Sequence, residues 1–130
     1  MIILAIKTDQ PESELELFDD HSPLAHVKYL AHRDLASTIH LKIAGLLKDH
    51  KLDWKDIQAV ICFKGPGSFT GLRIGFSVAN ALAYGLTVPI VAAIGKGWQQ
   101  KAIEKLLNQQ NDEVVYPFYG SVPHITTPRK

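Results

Sequence analysis

A glycine-rich run at positions 64–75, KGPGSFTGLRIG, has the residue types that could bind a phosphate. It follows an apolar, β-rich segment and leads into an apolar segment of small residues. In many phosphate-binding sites a glycine-rich turn joins a strand to a helix, because backbone N–H groups at a helix N-terminus attract anions. A P-loop requires Lys and then Ser or Thr after its last glycine, whereas Leu72 and Arg73 follow Gly71. A dinucleotide motif requires a glycine where Thr70 stands, so the spacing excludes both common sites.

Local geometry explains the glycines and hydroxyls of the run better than ligand chemistry does. Gly65 and Gly67 predict a tight turn, since glycine adopts backbone conformations that other residues avoid. Ser68 or Thr70 can cap the following helix by accepting a backbone N–H. Neither hydroxyl has an obvious general base nearby in the sequence, which disfavours a nucleophilic role.

A stripe of small residues recurs every four positions along the helix that follows: Gly71, Gly75, Ala79 and Ala83. Glycine inside a helix costs about 1 kcal/mol relative to alanine. The stripe therefore predicts that another backbone packs closely against this face. Two neighbours fit, and both can be present because the helix has two faces to cover: the sheet of the same domain, and a helix of another subunit with Leu72 and Phe76 as apolar anchors.

Length and composition predict one soluble domain. The chain has 130 residues, of which 46% are hydrophobic and 21% charged, and its net charge is +1. This charge gives no sign of a broad nucleic-acid surface. The single cysteine, Cys62, lies in a predicted strand and is expected to be a buried, inert thiol in a reducing cytoplasm. The N-terminal apolar run is too short for a signal peptide or a membrane span, so we expect a cytoplasmic protein without a membrane partner.

Hydrophobic periodicity predicts eight elements in the order β-β-β-α-β-α-β-α. The strands are expected at residues 2–7, 14–18, 24–30, 59–63 and 88–92, and the helices at 34–50, 70–85 and 98–108. Asp34 is the expected N-cap of the first helix, and Asp53 of a short turn. This order predicts a single α/β domain over residues 1–108, with a mixed five-stranded sheet and helices packed on it. It is the order of the ribonuclease H-like fold. Residues 109–130 are expected to form an extended C-terminal arm.

The enzymes of this fold need residues that the chain lacks. Ribonuclease H-like nucleases hold a divalent metal with an acidic residue on the first strand, but Lys7 at its end would repel a metal ion. Asp9, in the following turn, has no convincing carboxylate partner. Actin-like ATPases have a glycine-containing phosphate loop after this strand, and residues 8–12 contain no glycine. The histidines are scattered without metal-ligand spacing and are expected at the solvated surface. We predict no metal and no cofactor.

The run from Gly65 to Gly75 resembles the signature of the TsaB (YeaZ) family, and the flanking sequence and residues 3–8 of the first strand agree. The resemblance covers roughly residues 1–95. It implies one half of an actin-like ATPase fold without catalytic residues of its own. It further implies a non-catalytic scaffold or dimerization subunit in tRNA threonylcarbamoyladenosine synthesis. The implied partners are a TsaD-type transferase and a TsaE-type ATPase, with tRNA contacted indirectly through the complex.

In the family, the first two helices pack against those of the partner. Here these would be residues 34–50 and 70–85. The partner-interface residues predicted on them are Leu72, Gly71, Gly75, Phe76, Ala79, Ile39 and Ile43. Two alternatives stay open: a self-associating homodimer that has left the pathway, or a small ribonuclease H-like hydrolase or ATPase.

The chain departs from the family pattern in three places. Lys7 stands where an aspartate is usual, and Leu35-Ala36 stand where a His-Ser pair is usual. The chain is also short for the family, which leads us to expect a form lacking most of the second domain but keeping the terminal arm docked on the first.

Overall fold

The computed structural model describes residues 1–31, 34–66 and 69–116. In this part of the chain the strands β1 to β5 are Ile2–Lys7, Glu12–Asp19, Ser22–Leu30, Ala59–Phe63 and Ile90–Ala93. The helices α1 to α3 are Leu35–Asp49, Phe69–Leu86 and Trp98–Leu107. No helix of the described ranges is both long and apolar enough to cross a membrane.

The predicted element order and the mixed five-stranded sheet are confirmed. The strand order is β3-β2-β1-β4-β5. The first three strands pair antiparallel, whereas β4 pairs parallel with both β1 and β5. The second and third strands extend further than predicted, because only Asp20 and His21 separate them. Asp20 has a φ of 52°, a left-handed conformation that aspartate tolerates in tight turns.

Helices cover both faces of the sheet. Thr8, just after β1, donates a hydrogen bond to the carbonyl oxygen of Gly71 in α2. The preceding residue, Lys7, lies over the ring of Phe63, which packs edge-on against Trp98 of α3. Successive residues of an extended chain point to opposite faces of a sheet. Because Thr8 contacts α2 and Lys7 lies on the side of Phe63 and α3, the two helices lie on opposite sides of the sheet. The interior of β1 is accordingly buried on both faces, as expected for a strand in a helix-covered parallel pair.

The two predicted aspartate caps differ in outcome. Asp53 accepts a hydrogen bond from the Trp54 backbone N–H and forms a capping box with Asp56, so this prediction is confirmed. Asp34 precedes α1, but its side chain makes no capping hydrogen bond. Its φ and ψ of −91° and 6° lie outside the extended region that orients a capping side chain toward the helix. Asp34 is therefore the N-cap residue by position, as predicted, but its side chain does not cap the helix.

The segment after α3 packs on the domain. Asn111 Oδ1 accepts hydrogen bonds from the backbone N–H groups of Ile90 and Glu113 at 3.1 and 2.9 Å. Asn80 of α2 then binds both backbone groups of Val115, with its Nδ2 donating to the carbonyl at 3.0 Å and its Oδ1 accepting from the N–H at 2.9 Å. The sequence did not reveal this clamp. The remainder of the predicted arm, residues 117–130, lies outside the described residues, and the division at residue 108 stays a prediction.

Replacing Asn80 with alanine should destabilise the fold by about 1–3 kcal/mol, because both Val115 backbone groups lose their partner in a partly buried place. Urea unfolding measures this difference. Ser77→Ala, an exposed position on the same helix, provides the matched control. Equal unfolding free energies for wild type and Asn80→Ala would contradict the clamp.

His21, in the β2–β3 turn, should make stability depend on pH. Its ring nitrogens lie 3.0 Å from Gln100 Oε1 and 2.8 Å from Glu104 Oε2 on α3. These hydrogen bonds, Gln100 first, raise the pKa of His21 above its ordinary value of 6.5. A raised folded-state pKa gives a stabilisation that is complete below the unfolded-state pKa and is lost as pH rises through the folded-state pKa.

The stability difference between wild type and His21→Gln is therefore expected to be larger at pH 5.5 than at pH 8.5. Denaturant midpoints at both pH values measure it. His40→Gln, which removes an exposed imidazole from α1, is the control. A difference that grows toward pH 8.5 would rule out this role for His21.

Candidate functional site

The glycine-rich run lies where the carboxyl ends of β1 and β4 meet the start of α2. The two strands are parallel, so their carboxyl ends share one edge of the sheet, the usual place for sites in α/β proteins. Gly65 has a φ of 115°, a backbone conformation that glycine adopts without strain. Thr70 is the second residue of α2 and so lies inside the helix rather than at its N-cap. The predicted turn and cap residues Gly67 and Ser68 lie outside the described residues.

Gly75 allows α2 to approach the end of β1 closely. A Cβ atom placed on Gly75 would lie 3.2 Å from the Cβ of Thr8 and would overlap its hydroxyl oxygen. That hydroxyl is buried and donates to the Gly71 carbonyl at 2.7 Å. The glycines at 71 and 75 therefore serve contact with the sheet of this domain, which is one of the two neighbours that the stripe allowed.

The other residues predicted at a partner interface also face the interior. The described side chains among them are at most 3% exposed: Leu72, Phe76, Ala79, Ile39 and Ile43. They form the core between the helices and the sheet. Any contact of α1 and α2 with another subunit must therefore use the outer residues of the same helices.

A groove on the outer side of α1 and α2 was missed by the sequence reasoning. It has a volume of about 390 Å³ and is lined by Ala36, Thr70, Arg73, Ile74, Ser77 and Val78. Two large apolar side chains are also exposed on these helices, Leu41 at 72% and Tyr84 at 88%. The spacing of Thr70, Arg73 and Ser77 by three and four residues could have indicated one helix face.

Lys7 forms the electrostatic centre at the end of β1. Its Nζ lies 2.6 Å from Asp9 Oδ1, 3.8 Å from Glu14 Oε2 and 4.7 Å from the centre of the Phe63 ring. The two carboxylates therefore already face a fixed positive charge. Within residues 1–31, 34–66 and 69–116, no three His, Cys, Asp or Glu side chains lie close enough to hold a metal ion. Cys62 is buried, as predicted, and burial raises the pKa of its thiol.

Sequence and structure comparisons point to one group of proteins. The chain is 35% identical to the Escherichia coli tRNA threonylcarbamoyladenosine biosynthesis protein TsaB over 70% of its own length and 39% of that protein. It resembles the structure of YeaZ from Pseudomonas aeruginosa with a TM-score of 0.65 and 26% identity, over 72% of this chain and 43% of that one. A family model described as TsaD, tRNA N6-adenosine threonylcarbamoyltransferase, matches residues 27–93, half of the chain.

The chain belongs to the TsaB (YeaZ) family. The match to the TsaD model shows that the likeness extends to the transferases, and the transferase of Ralstonia pickettii is 37% identical over 71% of this chain and 31% of that protein. The structure of RuvC from T. thermophilus matches with a TM-score of 0.54 at 12% identity, over 92% of this chain and 85% of that one, which supports the ribonuclease H-like fold. The chain spans about two fifths of the length of the TsaB relatives it matches.

Gly75→Ala is expected to destabilise this TsaB-family domain by about 1–3 kcal/mol, the usual cost of overpacking a core. Gly85→Ala on the same helix is the matched control. Its added Cβ meets nothing within 4 Å, so it should stabilise the helix by up to about 1 kcal/mol. Urea unfolding compares the two variants.

The cause of the Gly75→Ala defect can be tested separately. Thr8→Ala removes the hydroxyl that the new methyl group would overlap. The double variant should therefore lose less stability than the sum of the two single variants. Additive losses would show that the Thr8 contact is not what requires a glycine at position 75.

Proposed function

We propose that this chain is a non-catalytic subunit in tRNA threonylcarbamoyladenosine synthesis that binds and supports a TsaD-type transferase. Membership of the TsaB (YeaZ) family supports the pathway, since the related E. coli protein carries that biosynthetic name. The transferase is the proposed partner, and the likeness of the chain to the transferases themselves suggests that two related folds pair. A TsaE-type ATPase would join the same assembly in the cytoplasm, and the assembled complex would hold the tRNA.

The observation that carries this proposal is the outer groove between α1 and α2. Three of its lining residues are exposed and small, so a helix of a partner can approach the groove closely at these positions: Ala36, Thr70 and Ser77. Tyr84 is exposed on the same helix, seven residues or two turns beyond Ser77, and a partner helix that runs along α2 can bury it. Tyrosine is enriched among the few residues that contribute most of the energy in protein interfaces.

The cluster at the end of β1 supports an accessory role. Lys7 forms ion pairs with Asp9 and Glu14, so neither carboxylate is placed as an unpaired general base. Lys7 is itself held between them and the Phe63 ring. We therefore propose that the chemistry belongs to the transferase, and that this cluster orders the start of the second strand.

A tryptophan in the outer groove should block transferase binding. Ser77→Trp places a large ring on an exposed position, so the fold should be kept while the dissociation constant for the transferase rises at least about tenfold. Isothermal titration of the transferase into each variant measures this. Lys28→Trp adds the same ring to an exposed position of β3 that does not line the groove, and should bind like wild type.

The same titration separates the alternatives. If the wild-type chain does not bind the transferase at micromolar concentration, the proposal is wrong. A homodimer that persists when the transferase is added would instead favour the alternative of a self-associating protein outside the pathway. Metal-dependent hydrolysis that Asp9→Ala abolishes would favour a ribonuclease H-like enzyme.

A further inference from the structure

A cleft at the carboxyl ends of β4 and β5 is rich in lysine. It has a volume of about 350 Å³ and is lined by Lys64, Ala92, Ala93, Ile94, Lys101 and Lys105. We refer to it as the lysine cleft. Its floor is small and apolar, and its charged groups are all positive. It lies apart from the outer groove, with which it shares no lining residue.

Backbone carbonyls hold two of the ammonium groups in place. Lys105 Nζ donates to the Ala92 carbonyl at 2.9 Å, and Lys101 Nζ donates to the Ile94 carbonyl at 3.3 Å. An ammonium has three N–H donors, so each lysine keeps two for a ligand. Because the side chains are already positioned, a ligand would lose less conformational entropy on binding them.

No carboxylate neutralises these charges in the described ranges. The ion pairs there involve other groups, and none includes Lys64, Lys101 or Lys105. Glu104 lies on α3 between two of these lysines but binds His21 instead. The cleft is therefore locally positive although the whole chain has a net charge of only +1.

Protection of the sheet edge explains only part of this arrangement. Among the residues that the structure describes, β5 pairs with β4 alone, and lysines often cover the free carbonyls of such an edge. Lys101 and Lys105 satisfy carbonyls of or next to β5, and edge protection accounts for them. Lys64 follows the neighbouring strand and contributes a third charge that edge protection does not need.

We propose that the lysine cleft binds the phosphodiester backbone of tRNA directly. This inference rests on the proposed function, which brings the chain to a tRNA-modifying assembly. Lysine ammoniums act as point charges that suit phosphate oxygens, and contacts to phosphates position a nucleic acid without reading its sequence. A free nucleotide offers the same phosphate chemistry, so the test includes one.

The test measures binding of an unmodified tRNA transcript to the full chain by fluorescence anisotropy, between 50 and 200 mM KCl. The cleft variant carries Lys64→Gln, Lys101→Gln and Lys105→Gln. The control variant carries Lys48→Gln, Lys51→Gln and Lys55→Gln, three exposed lysines that do not line the cleft, so both lose equal charge. The cleft variant should bind at least about tenfold more weakly at 50 mM KCl, and the slope of log Kd against log salt should fall by about two.

The control variant should keep most of the wild-type affinity and slope. Equal losses in the two variants, or no tRNA binding by the wild-type chain at 50 mM KCl, would overturn the proposal. So would cleft-dependent displacement of tRNA by ATP at equal phosphate concentration, which would assign the cleft to a nucleotide. If the triple variant unfolds, Lys64→Gln alone, which removes no bond to a β5 carbonyl, should still lower the affinity.

Titration with the transferase distinguishes this inference from the proposed function. The cleft variant should bind the transferase as wild type does, because the cleft and the outer groove are separate. Failure of the wild type to bind the transferase would refute the proposed function, whereas the tRNA titration of the chain alone tests the cleft on its own.

Discussion

The contact between Thr8 and α2 is the constraint on which the rest of the structure depends. The Thr8 hydroxyl reaches the Gly71 carbonyl, and the space for it exists because residue 75 has no side chain. This contact brings the start of α2 against the carboxyl end of β1. Ala79 and Ala83, further along the helix, are buried on the same side. The position of α2 on the sheet in turn defines where its outer face meets α1.

The same packing separates the roles of the two faces of α2. The inner face packs against the sheet of the domain. The outer face carries small polar residues, a groove and an exposed tyrosine. The glycine-rich motif resembles a ligand-binding loop, but its glycines at 71 and 75 let α2 pack closely against the end of β1. The surface that we propose for the transferase follows from that packing, and the lysine cleft lies apart from it at the ends of β4 and β5.

Much of the fold was predictable because its signals are local. Buried strands such as β1 and β4 are continuous apolar runs, and α1 shows its stripe of Leu35, Ile39 and Ile43 at helical spacing. The Asp53 capping box is likewise a local signal, since its two aspartates are only three residues apart. Asp34 stands at the predicted N-cap position but makes no capping hydrogen bond, because a side-chain cap also depends on the backbone conformation of the residue.

The sequence by itself determined the order of the elements, the mixed sheet and the family, since these depend on periodicity and on one contiguous motif. Only the tertiary structure decided which neighbour the small-residue stripe meets, because sheet and partner helix require the same absence of side chains. It also decided the Asn80–Val115 clamp and the grouping of Lys64 with Lys101 and Lys105. Asn80 and Val115 are 35 positions apart, and Lys64 is 37 positions from the nearer of the two other lysines. No spacing rule connects residues so far apart in the sequence.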